Sequence, residues 1–109
     1  MTGEYGMLMT TTPSREDAAR LAKLLVEEKL AACVQLLPID SVFFWKGKTQ
    51  EEKETLMLVK TRTALFGDAI ARIKALHRYE VPEIVAMPFT AGSASYFQWM
   101  DEVTCAPSN

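Results

Sequence analysis

Residues 31–62 read AACVQLLPIDSVFFWKGKTQEEKETLMLVKTR, and the periodicity of this stretch decides the fold. Cys33 to Leu37 is an apolar run of strand character that resumes at Ser41-Val42-Phe43-Phe44-Trp45 and stops at Lys46-Gly47-Lys48, a turn signal. The return arm starts charged at Glu51 and becomes Thr55-Leu56-Met57-Leu58-Val59-Lys60-Thr61, so the two arms form a β-hairpin. Pro38 has no amide donor, which predicts a bulge or bend at Pro38-Ile39-Asp40. Glu51, Glu52 and Glu54 read as a solvated hairpin tip.

The hairpin is long for its domain. Arms of about 11–14 residues at ~3.3 Å each span roughly 36–46 Å, against a radius of gyration near ~13 Å for a compact chain of this size. The arms must overhang, and they carry Phe43, Phe44 and Trp45 out with them. On a lone subunit those side chains would form an exposed apolar patch beside an open strand edge, which a neighbouring subunit would cover. The alternative is that Pro38 folds the strand back and buries the aromatics internally.

Working outward, Tyr5 to Thr12 is a short first strand that halts at Pro13. Ser14 caps a helix in which Ala18, Leu21, Ala22 and Leu25 share one face, with Asp17 as a capping-box partner and an end near Leu30. After the hairpin, Phe66, Ala69, Ile70, Ile73 and His77 repeat at helical spacing. Glu83-Ile84-Val85-Ala86-Met87, enclosed by Pro82 and Pro88, is a fourth strand, and Gly92-Ser93 opens a short helix with Tyr96, Trp99 and Met100. The order β-α-β-β-α-β plus a C-terminal helix predicts an α+β, ferredoxin-like domain occupying residues 1–109 as one unit.

Composition narrows the function classes. A formal net charge of -2 over 109 residues speaks against a phosphate-backbone binder, and no apolar run approaches the ~20 residues that span a bilayer. The opening residues show no basic segment followed by an apolar one, so the expectation is a cytoplasmic protein with neither nucleic acid nor membrane as partner. Cys33 and Cys105 lack metal-type spacing and read as free thiols.

Chemistry-bearing residues concentrate in His77-Arg78-Tyr79-Glu80-Val81-Pro82-Glu83, where the only histidine lies beside a phenol and carboxylates. One imidazole does not define a metal site; His77 can equally serve the helix C-terminus, with Tyr79 packing and Glu83 pairing with a base. Lys60 ends an apolar strand run and is either a half-buried cation aimed at a carboxylate, with Glu83 in an adjacent strand as the partner, or an edge lysine. No Gly-rich phosphate loop, Cys-x-x-Cys pair or His-Glu-x-x-His helix is present. A hydrolase built on His77 lacks the anion-cradling loop and the asparagine that acylphosphatase-type chemistry on this fold requires, the only Asn being Asn109.

Thr12-Pro13, Glu28-Lys29-Leu30-Ala31-Ala32-Cys33-Val34, Ser41 to Trp45 with Gly47, Lys60-Thr61, Tyr79-Glu80-Val81-Pro82-Glu83-Ile84, and Tyr96 with Trp99 together resemble the CutA divalent-cation tolerance family over nearly the whole chain. The resemblance implies a non-enzymatic homotrimer of ferredoxin-like subunits, similar in architecture to the PII signalling proteins, with clefts between subunits. A metal ion or small anion would sit in the cleft, with Lys60, Tyr79 and Glu83 as polar contacts and Trp45 as an apolar wall. The resemblance also implies a divalent cation such as copper. The family's proposed copper ligands, a cysteine on the first strand and a histidine pair before the tyrosine, fall here on Thr10, Leu76 and His77, so only His77 matches. The competing function is a trimeric structural or signalling module with no ligand chemistry of its own.

Overall fold

The structure is a computed structural model that describes residues 3–105. Its elements run β1 (Tyr5–Thr12), α1 (Arg15–Glu27), β2 (Cys33–Trp45), β3 (Lys48–Arg62), α2 (Phe66–Leu76), β4 (Ile84–Pro88) and α3 (Ala94–Val103), with a 3₁₀ turn at Thr63–Leu65 leading into α2. The strands form one sheet in the order β2-β3-β1-β4, every neighbour antiparallel. β1-α1-β2 and β3-α2-β4 are thus two interleaved split units, the ferredoxin-like arrangement.

Local chemistry sets the boundaries. Ser14 Oγ accepts the Asp17 amide at 3.1 Å and caps α1. Asp17 does not complete a capping box, because its carboxylate takes Arg78 Nε at 2.7 Å. Lys29, at φ 62, turns the chain out of α1 in the left-handed conformation while the Leu30 amide bonds back to Leu25 O at 2.9 Å. At the hairpin turn Lys46 (φ 52) and Gly47 (φ 83) are both left-handed, the pattern of a two-residue type I′ turn whose twist matches the flanking strands.

The predicted bulge at Pro38 is absent. The β2/β3 register runs unbroken from Cys33↔Lys60 through Pro38↔Thr55 to Trp45↔Lys48. β2 is an edge strand, and an edge strand has amides that face away from the ladder, so a missing donor can be accommodated without a slip. The chain therefore does not fold back to bury its aromatics: Val42 is 68% exposed and Phe44 73%, with Phe43 and Trp45 near 40%. The predicted solvated tip at Glu51–Glu54 is likewise displaced, since these residues lie within β3 and the turn is Lys46-Gly47.

Strand alternation splits the sheet into two faces. On one, Leu8, Met57 and Val59 pack under Ala18, Leu21 and Leu25 of α1 and Ala69 and Ile73 of α2, all essentially buried. Gly6 belongs to this face by necessity, because a Cβ there would lie 2.3 Å from Met87 O and 2.8 Å from the Phe66 ring. On the other face only the end nearest the termini is covered: Tyr5 stacks on Phe97 of α3 with centroids 4.2 Å apart, and Met100 is buried beside them. Phe97 and Met100 are thus the anchors of α3, while Trp99 is 39% exposed. The rest of that face, including Leu37, Val85 and Met87, has no layer over it.

Candidate functional site

The loop between α2 and β4 is tied to the sheet through a connected set of polar contacts. His77, the residue that ends α2, donates from Nε2 to Thr11 O of β1 at 2.6 Å and accepts the Tyr79 amide at Nδ1, 3.0 Å away. These partners require the neutral imidazole with its proton on Nε2. The two rings lie 5.0 Å apart. Tyr79 then crosses to the hairpin, where its hydroxyl donates to Glu54 Oε2 at 2.7 Å. Burial, followed by the Glu54 carboxylate and the more distant Glu52 and Asp17, pushes the phenol well above its ordinary value, so it stays protonated as a donor. Nearby, Arg78 holds the Asp17 carboxyl below the usual carboxylate range, with Arg20 adding to the effect.

Glu54 also borders a groove of about 320 Å³ between the start of α1 and the hairpin stem, walled by Pro13, Arg15, Pro38, Ile39 and Lys53. Lys53 is paired with Asp40 at 3.1 Å, but both side chains are largely in water, so the pair adds little to stability.

Sequence reasoning found His77 and Tyr79 but not Glu54, which has no local signal: it stands among three other charged residues, and only the tertiary fold selects it. The other expected site residues are dispersed. Lys60 is half-buried on β3 between Cys33 of β2 and Met7 of β1 in the register, with no ion pair among the described residues. Its expected pairing with Glu83 in an adjacent strand does not occur within the subunit, because β1 lies between β3 and β4 and Glu83 precedes the first β4 residue, which pairs with Thr10 rather than Met7. Trp45 closes β2 beside the turn, with Lys46 Nζ 6.0 Å from its ring centroid. From Trp45 to the level of Lys60 is twelve strand residues, roughly 40 Å. One subunit therefore cannot gather Trp45, Lys60, Tyr79 and Glu83 around a single ligand.

The copper-ligand positions do not fit a copper ion within this subunit. Leu76 has no donor atom, and both His77 nitrogens are already engaged. Thr10 Oγ1 is fully buried without a hydrogen-bond partner on the helix side of the sheet. Among the described residues no group of three or more His, Cys, Asp and Glu side chains is placed to hold a metal ion. Cys33 and Cys105 are free thiols.

An antiparallel 2-3-1-4 sheet with helices on one face, an overhanging hairpin and an uncovered apolar face defines a ferredoxin-like α+β domain of the extended-hairpin type. Residues 6–103 match the CutA1 family, described as divalent ion tolerance protein, and the chain belongs to that family. It is 48% identical over 99 residues to the divalent-cation tolerance protein CutA of Thermus thermophilus, covering 90% of this chain and 96% of that one. A chloroplastic CutA of Arabidopsis thaliana is 42% identical over 90% of this chain, which spans 54% of that longer protein. Among solved structures, CutA1 from Oryza sativa superposes with a TM-score of 0.91 at 39% identity, covering 95% of this chain and 96% of that one. A CutA from Archaeoglobus fulgidus, described as a periplasmic divalent cation tolerance protein, superposes with a TM-score of 0.89 at 42% identity, with 91% and 97% covered. Among the described residues no helix is long and apolar enough to cross a membrane.

Proposed function

We propose that the protein works as a homotrimeric, non-enzymatic divalent-cation tolerance protein with a PII-like arrangement of subunits, holding a small anion or a metal ion in a cleft between them. The observation that carries the reading is the uncovered apolar side of the sheet, continuous with the exposed aromatics at the hairpin end. A sheet face bearing Leu37, Val85 and Met87 in water is the kind of surface that a second copy buries. The dispersal of Trp45, Lys60, Tyr79 and Glu83 within one subunit supports the same conclusion, since only residues from different copies could converge on one ligand.

Lys60, whose ammonium lacks an ion-pair partner among the described residues, is the natural anion contact; Glu83, exposed at the start of β4, is the natural cation contact. Copper through Thr10, Leu76 and His77 is not part of the proposal, for want of donors. A cytoplasmic location is part of it, and fractionation against the periplasm tests that. The assembly is tested by light scattering coupled to size exclusion, and the ligand by isothermal titration with copper, zinc, nucleotides and small carboxylates. Heats with none of them would overturn the ligand reading while leaving the trimer standing.

One observation favours the second reading, a structural or signalling module without ligand chemistry. The Tyr79 hydroxyl is already spent on Glu54 of its own chain. On that reading Lys60→Ala and Glu83→Ala weaken assembly and change no ligand response.

A further inference from the structure

The uncovered sheet face carries sulfur where it carries no oxygen or nitrogen ligand cluster. Met7 of β1 and Met87 of β4 stand opposite each other in the register, and Met9 lies two residues along β1 on the same face, opposite Val85. By strand geometry the Cβ atoms of Met7 and Met87 are roughly 4.5–5.5 Å apart, with Met9 within roughly 8 Å of Met87 along the diagonal. All three are partly accessible, in contrast to Met57 and Met100, which are fully buried. The methionine side chain has three rotatable bonds, so thioethers at these separations can converge on one point above the sheet. Leu58 and Val85 are the residues facing Met9 across the ladders, and neither offers a hard donor.

We infer that Met7, Met9 and Met87 form a thioether site for a soft, monovalent, thiophilic cation of the Ag(I) or Cu(I) class. Thioethers select soft ions, whereas hard and borderline divalent ions need carboxylate, imidazole or thiolate donors. Lys60, opposite Met7 on the β3 side, sharpens that choice, because its positive charge opposes a divalent ion twice as strongly as a monovalent one. Its flexible stem leaves the ammonium free to turn away from the β4 side, where Met87 stands. All three ligands come from one chain, so the site does not depend on the proposed trimer.

Ag(I) is the probe, since it needs no reductant. The Cys33→Ser, Cys105→Ser variant of the full chain removes the competing thiols, and methyl NMR then follows each methionine through a silver titration. The methyls of Met7, Met9 and Met87 are expected to shift together along one binding curve while Met57 and Met100 stay in place. Met87→Leu, which conserves volume, is expected to weaken binding by at least the ~10–100-fold that loss of a mere supporting contact costs a metal site. Met7→Leu, Met9→Leu and Met87→Leu combined should abolish it. Silver that leaves these methyls unmoved, shifts them along separate curves, or binds the triple variant as tightly would overturn the inference. The first two outcomes are read without any methionine variant, so they stand even where the triple variant fails to fold.

Discussion

The two halves of β3 share one unbroken hydrogen-bonded ladder and live in different surroundings. From Thr55 to Thr61 every second residue is buried, because α1 and α2 lie over that side of the sheet. From Lys48 to Lys53 almost every residue is exposed, and the paired stretch of β2 holds Val42, Phe43, Phe44 and Trp45 in the open. Backbone pairing is equally regular in both halves, so it does not explain the difference. The second layer does: helices of 13 and 11 residues cover the stem and end before the overhang, in a molecule 44 Å long. A ladder satisfies backbone polar groups, and only packing removes apolar surface from water.

The contrast is broken most strongly at the stem. Leu25→Ala, at a fully buried position under α1, should cost about 2–5 kcal/mol in denaturant unfolding. Phe44→Ala, at the overhang, should leave the low-concentration limit of unfolding within about 0.5 kcal/mol and act on its concentration dependence instead. A comparable loss from both would mean that the tip belongs to the subunit core.

Gly6→Ala comes next, since the added methyl meets the Met87 carbonyl and the Phe66 ring; overpacking of this kind costs about 1–3 kcal/mol and should show as a lowered denaturant midpoint. Tyr79→Phe removes the only described hydrogen bond from the α2–β4 loop to the hairpin, a bond to a carboxylate, and should cost about 1.5–3 kcal/mol. Its effect should appear as faster amide exchange around residues 77–83. Smallest is Thr10→Val, which exchanges a buried hydroxyl without a partner for a methyl and should be neutral or stabilising by up to about 1 kcal/mol in the same unfolding assay. A clear loss there would point to a role for the hydroxyl.

The same division marks what could be read from the chain beforehand. β1 was legible to the residue, because a Thr-rich apolar run meets Pro13, and both main helices were legible from their apolar spacing. The long hairpin was legible from its length and its turn. The outcome at Pro38 was not, because the consequence of a missing donor depends on whether the strand is at an edge, which is a property of the sheet order. The Lys60–Glu83 pairing failed for the same reason: β1, far away in sequence, inserts between their strands. Glu54 was assigned to the tip because the charged run 51–54 resembles a loop, whereas the positive φ values place the turn at Lys46-Gly47. Local signals thus set the elements, and the site depends on which strands become neighbours.

The central claim is that the overhanging hairpin and the uncovered sheet face are completed by other copies of the chain. Multi-angle light scattering at low micromolar concentration tests it most directly. The account predicts a single species of three times the 12.2 kDa subunit mass, and a stable particle of the subunit mass itself would contradict it.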